Sequence, residues 1–93
     1  VSYQINITLA VRRELRALPA YVRGQALQLI DDFATTPRPP RAKELRGKPN
    51  MYRIWLAGRW RLVYQVDEAQ QLVIILRVRR KEDIDYDSLG SPE

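Results

Sequence analysis

The chain contains no cysteine and no histidine. The first absence excludes a disulfide framework, thiolate chemistry and any zinc–thiolate site. The second removes the commonest general base and the commonest metal ligand together. Long apolar runs are also missing: no stretch approaches the ~18 residues of a membrane span, and no secretory leader opens the sequence. The expectation is therefore a soluble, cytoplasmic protein with no membrane partner. No cofactor is expected.

What the chain does have is hydrophobic content of 45% in regular patterns over 93 residues. That suits one globular domain with little spare stability, expected over residues 1–89 with a frayed end at 90–93. The net charge of +5 is unevenly spread. Residues 1–37 sum to +1, residues 38–81 carry twelve bases against three acids for +9, and residues 82–93 sum to −5. Thirteen of the sixteen bases are arginine, whose planar fork suits bidentate contact with phosphate or carboxylate. A basic middle of this density points to a polyanion or to an acidic protein segment, and composition does not choose between them.

Alternation over Val1–Leu9 predicts a half-buried strand, with Thr8 able to cap a helix running from about Leu9 or Ala10 to Leu18. Val11, Leu15 and Leu18 form that helix's apolar stripe, and Arg12, Arg13 and Arg16 point outward. Pro19 fits the first turn of a second helix over roughly residues 20–35, with Val22, Ala26, Leu29, Ile30 and Phe33 at helical spacing. Thr36–Pro40 then stops the helix. Ala42–Asn50 is polar and basic, with Leu45 as its one sizeable apolar anchor.

Residues 51–66 read as a β-hairpin broken at Gly58. A loop of Gly58, Arg59 and Trp60 sets Ala57 opposite Arg61, Trp55 opposite Val63 and Arg53 opposite Gln65. One face then carries Tyr52, Ile54, Leu56, Leu62, Tyr64 and Val66; the other carries Arg53, Trp55, Ala57, Arg61, Val63 and Gln65. A one-residue slip would bury an arginine among apolar side chains, which disfavours it. Leu72–Val78 is a third apolar strand, expected to turn Leu72, Ile74, Leu76 and Val78 to the core. Arg77 and Arg79 would then join the arginine face. The expected fold is α+β in the order β-α-α-β-β-β: an antiparallel sheet, an αα-hairpin on one face, a basic open face, and a short C-terminal tail or helix.

Element order, Leu45-Arg46-Gly47 before Tyr52-Arg53-Ile54, and the strand Trp60-Arg61-Leu62-Val63-Tyr64-Gln65-Val66 together resemble the RelE/ParE superfamily of toxin–antitoxin toxins. The ending Arg77-Val78-Arg79-Arg80-Lys81-Glu82, closed by Tyr86, is similar to the RelE branch. The resemblance implies a ribosome-dependent endoribonuclease that cuts mRNA in the A site. It also implies partners: the ribosome and its rRNA, mRNA, and a cognate antitoxin forming a hetero-oligomer with the toxin. Residue by residue, it places Arg61, Arg80 and Tyr86 in the catalytic set. Arg53 stands where RelE toxins carry a catalytic lysine. Trp55 occupies the second such lysine position, a departure that Arg59, Arg77 or Arg79 would compensate.

The chemistry available to such residues is attack by the substrate's 2′-hydroxyl, with guanidinium groups stabilising the phosphorane-like transition state. Arginine is a poor base, so Tyr86 is either the proton acceptor, its phenol lowered by nearby arginines, or a ring on which a base stacks. Trp55, Arg59, Arg77, Arg79, Lys43, Arg46 and Lys48 are the expected RNA contacts. Each has a duller use, as a solvated strand face, a loop, or a partner of the acidic tail. The competing function is a ParE-like inhibitor of DNA gyrase that acts by binding alone. A third reading is a relative that binds RNA or antitoxin without cutting.

Overall fold

The computed structural model describes residues 2–80 and 82. Tyr86, the tail expected as a short helix or extended segment, and the frayed end at 90–93 lie outside the described residues. The alternating start forms β1 (Gln4–Ile7) and ends where Thr8 caps α1 (Leu9–Ala17). The Thr8 hydroxyl oxygen accepts from the Val11 N–H at 3.2 Å, as its place before the helix predicts. Helix α2 (Ala20–Asp32) follows Pro19. It ends earlier than residue 35, because the Ala34 and Thr35 N–H groups bond the carbonyls three residues back, Asp31 and Asp32, at 3.3 and 3.2 Å, tightening the last turn ahead of Pro37.

Arg23 joins the two helices. Its guanidinium donates to the carbonyls of Leu15, Arg16 and Leu18 at 3.1, 3.3 and 3.0 Å. They lie at the C-terminus of α1, where carbonyls run out of intrahelical donors (Leu15 O also accepts the Leu18 N–H at 3.2 Å) and a cation opposes the negative pole of the helix. Val11, Leu15, Val22, Ala26, Leu29, Ile30 and Phe33 form the buried face of the pair.

That face lies on a five-stranded sheet of order β1-β5-β4-β3-β2, with β2 (Lys43–Glu44), β3 (Met51–Leu56), β4 (Trp60–Asp67) and β5 (Leu72–Arg80). Class and element order are as expected, with two differences. The polar segment after the prolines contributes the short strand β2, paired to β3. The sheet is mixed rather than antiparallel throughout, since β1 lies parallel to β5. The long connection through both helices carries the chain from β1 to the opposite side of the sheet. Three antiparallel junctions then bring β5 back beside β1 in the same direction.

The hairpin register also differs. The loop is Ala57-Gly58-Arg59, so Leu56 faces Trp60, Trp55 faces Arg61 and Arg53 faces Val63. Ala57 and Gly58 both take positive φ, 49° and 79°, and this reverses the chain one residue earlier than a loop starting at Gly58. The shift amounts to two residues of pairing, so the side-chain parity of the strands survives; Ala57, expected on the arginine face, lies in the loop against the core, and Trp60 joins the core face. Ile54, Leu56, Leu62, Tyr64 and Val66 enter the core under the helices.

Strand β5 departs further. Val63 pairs with Arg77 and Tyr64 with Ile75, leaving Leu76 as an extra residue in a bulge. Before the bulge the phase is inverted: Val73 and Ile75 are the buried core residues, not Leu72 and Ile74. After it the expected phase holds, with Val78 inward and Arg77 and Arg79 on the opposite face. Apolar residues stand on both phases here, so periodicity could not reveal the inserted residue.

At the end of the sheet away from the hairpin tip, Arg38 donates to Tyr52 Oη at 2.8 Å and pairs with Glu68, to which Tyr3 also donates. Tyr64 Oη donates to Pro37 O at 2.7 Å while its ring lies against Phe33, centroids 4.2 Å apart. Burial pushes the Tyr64 phenol well above its ordinary range. Together these bonds fasten the proline segment to the sheet.

Removing the Arg23 cap should cost about 1–2 kcal/mol, so Arg23→Ala should lower the urea midpoint without changing the m-value. The Arg38 and Tyr3 hydrogen bonds hold the Glu68 carboxyl below its ordinary value of 4.5. Its folded-state value being the lower one, the stabilisation is complete above 4.5 and is lost as pH falls through the folded value. Glu68→Gln should therefore flatten the acid limb of stability below pH 4.5 in pH-dependent thermal melts.

Candidate functional site

Pairing across β2, β3, β4 and β5 sets the polar side chains of the helix-free face in two transverse rows. One runs Lys43, Arg53, Val63, Arg77; the other runs Trp55, Arg61, Arg79. Neighbouring strands lie about 4.8 Å apart, so the cations within a row come close enough to act on one polyanionic ligand. The turn adds Arg59, which is exposed beside Gly58.

Arg61 is the one buried charged residue among those described, 7% exposed. Its guanidinium carbon stacks 4.1 Å from the centroid of the Trp55 ring, directly across the strand pair. Trp55 itself is 44% exposed, the only large aromatic on this face left open to solvent among the described residues. The indole therefore holds an arginine on the sheet and still presents surface to a ligand. This stack needs the observed register, because the expected one would set Trp55 against Val63.

Arg80 is placed differently from Arg61. It ends β5 opposite Trp60, on the helix side of the sheet, with its guanidinium carbon 5.6 Å from the Trp60 ring centroid. Trp60 is not a loop residue but part of the core, edge-on to Tyr21 at 6.4 Å. Arg80 meets the other candidates only at the end of the sheet, where Trp55, Gly58, Arg59, Arg80 and Glu82 line one groove. The structure thus gathers Trp55, Arg59, Arg61 and Arg80 around the hairpin tip, while the Arg79 guanidinium turns to Glu14 of α1.

Arg53 and Arg77 stand one row further down the sheet, both half-buried. Arg77 Nη1 donates to its own strand's Leu76 O at 2.7 Å, at the bulge. Lys43, Arg46 and Lys48 flank this region on β2 and the following turn. Beneath that turn Leu45, Met51, Val63 and Leu76 form a second apolar cluster. The helix-free face therefore carries cations in both rows, with an apolar patch of Leu45, Met51, Val63 and Leu76 set among those of the lower row. Leu45 fulfils its expected anchoring role there, 7% exposed.

One polar residue escaped the sequence reading. Glu14 stands within the apolar stripe of α1 and bonds the end of β5. A carboxylate between Val11 and Leu15 on a stripe bound for the core is the signal that would have found it.

This small α+β fold with a cationic sheet end has clear relatives. The family profile described as "ParE toxin of type II toxin-antitoxin system, parDE" matches residues 5–84. The chain belongs to that toxin family, within the RelE/ParE superfamily of toxin–antitoxin modules. It is 31% identical over 83 residues to "mRNA interferase toxin RelE" of Escherichia coli (strain K12), covering 88% of this chain and 86% of the relative. "Toxin RelG" of Mycobacterium tuberculosis is 30% identical over 86 residues, covering 88% and 94%.

The fold matches a free arginine-to-alanine double mutant of E. coli toxin RelE with a TM-score of 0.76 at 30% identity, covering 88% and 86% of the two chains. It also matches a chain of the intact E. coli RelBE toxin–antitoxin complex with a TM-score of 0.74 at 32% identity, covering 84% and 95%.

A double-mutant cycle on Trp55→Ala and Arg61→Met should return a coupling of about 0.5–1 kcal/mol in urea unfolding, the range for a partly exposed cation–π pair. Additive single effects would show that the stack contributes nothing.

Proposed function

We propose that this toxin is a RelE-type mRNA interferase, cutting mRNA in the ribosomal A site and so inhibiting translation. The observation that carries the reading is the gathering of Arg61, Arg80 and Arg59 around an exposed tryptophan at one end of the sheet. Such a set can clamp a phosphate and stack a splayed base, as single-stranded RNA requires. The relatives named as mRNA interferases, each covered over most of its length, support the same reading.

In the proposed reaction the substrate's 2′-oxygen attacks the adjacent phosphorus and the bond from phosphorus to the 5′-oxygen breaks. The products are a 2′,3′-cyclic phosphate and a 5′-hydroxyl. The 2′ proton passes to the Tyr86 phenolate, and the leaving oxygen takes a proton from solvent. Arg61 and Arg80 neutralise the charge that grows on the phosphorane oxygens, with Arg53 aligning the backbone. Lys43, Arg46, Lys48, Arg59, Arg77 and Arg79 hold flanking phosphates, and Trp55 stacks a base. The protein works in the cytoplasm, where its substrate is translated. A cognate antitoxin lays an acidic segment over the cationic rows; solved relatives that are toxin–antitoxin complexes support this.

The family profile is that of ParE toxins, which favours a second reading: inhibition of DNA gyrase by binding, without nuclease chemistry. Toeprinting on translated mRNA, run beside a gyrase supercoiling assay, separates the two. Wild-type protein should cut A-site codons and leave supercoiling intact; the reverse pattern refutes the interferase reading. Arg61→Met, which keeps the apolar stem, should slow cleavage by ~10²–10³-fold. Tyr86→Phe should abolish cleavage if the phenol takes the proton, whereas retained cutting would assign that ring to stacking.

A further inference from the structure

Strand β1 covers the outer edge of β5 only as far as Ile7 opposite Ile75. Beyond that point no described strand pairs with the edge, yet the Val78 N–H is satisfied: it donates to Glu14 Oε1 at 2.8 Å. The second oxygen of Glu14 accepts from Arg79 Nε. These contacts join residues 64 and 65 apart in sequence, and the Glu14 side chain is only 12% exposed. A carboxylate so placed is costly unless strong donors meet it, and both of its donors belong to the end of β5.

We propose that Glu14 is a positioning residue for the arginine end of β5, fixing Arg79 and Arg80 for the ligand of the cationic tip. The assignment rests on the reading that this tip binds mRNA. Arg79 pairs with Arg61 and Arg80 with Trp60, and both line a groove with Glu14, Ala17, Leu18 and Trp60 at the end of the sheet. A strand end with one neighbour frays readily, and clustered arginines repel one another. Glu14 acts on both problems. One oxygen pins the main chain at Val78, and the other fixes Arg79 by its Nε while supplying a negative charge.

That division of labour makes the role separable from simple support of the fold. Glu14→Gln keeps a carbonyl oxygen for Val78 but loses the ion pair, whereas Glu14→Ala loses both. The test is single-turnover cleavage on programmed ribosomes by the full chain, combined with amide hydrogen exchange and the Arg79 Nε–H resonance. Glu14→Gln should keep Val78 protected while slowing cleavage at saturating protein by about tenfold to a hundredfold. Its half-saturating ribosome concentration should stay within about twofold, since positioning affects the rate and not the encounter. Arg79→Gln should slow cleavage at saturating protein by a similar factor. It should also raise the half-saturating ribosome concentration, since it removes a phosphate contact. The double variant should be no slower than Arg79→Gln alone. Glu14→Ala should additionally speed exchange at Val78.

Wild-type cleavage by Glu14→Gln, or losses that multiply in the double variant, would overturn the proposal. If the wild-type protein does not cut at all, the interferase reading fails separately, and the exchange and resonance data alone judge Glu14. An Arg79 Nε–H resonance unchanged between wild type and Glu14→Gln then rejects the assignment, and its displacement upholds it.

Discussion

Strand β4 is covered on both sides from Trp60 to Tyr64, and this double burial constrains the rest of the molecule. Its inward residues, Trp60, Leu62, Tyr64 and Val66, pack under the helices. Its outward residues, Arg61 and Val63, are as deeply buried, one beneath the Trp55 indole and the other among Leu45, Met51 and Leu76. A strand held this way tolerates no change of parity, because a slip would exchange a guanidinium for Leu62 or Tyr64. The cationic rows inherit their positions from that strand, through β3 on one side and β5 on the other.

The same strand explains how Arg61 can be buried. Transferring a guanidinium from water into an apolar setting is prohibitive without compensation. Arg61 instead lies under an aromatic ring, where the quadrupole of the indole face meets its charge. Trp55 takes the position at which the resemblance to RelE toxins sets a lysine. At that position the indole orders the Arg61 guanidinium of β4. Arg59 lines the groove at the tip beside Trp55, whereas the Arg79 guanidinium is paired with Glu14.

The helices act on the sheet end as well as covering its core. α1 sends Glu14 to the unpaired stretch of β5, and α2 sends Arg23 to the C-terminus of α1. The network of Tyr3, Glu68, Arg38 and Tyr52 closes the opposite end of the sheet. Polar side chains thus finish the places where backbone pairing stops, a recurrent need wherever strands and helices end.

Much of this was legible in the residues themselves. Thr8 before an apolar stripe, Pro19 between two stripes and the two-residue alternation of 51–66 determine the helices, their hairpin and the two faces of the sheet. These are local, periodic signals, set by sterics and by the partition of side chains between water and core. The parity of Arg53 and Arg61 survived even a wrong loop assignment, because a two-residue shift preserves it. Tertiary structure decided what depends on contacts between distant segments. It set β1 parallel to β5, paired Trp55 with Arg61 and inserted the Leu76 bulge that inverts the first half of β5. It also sent Arg80 to the helix side and Glu14 to Val78. The physical reason is common to all five. Periodicity records which side of an element avoids water, whereas neighbours across the sheet depend on where loops reverse and where one residue is left over.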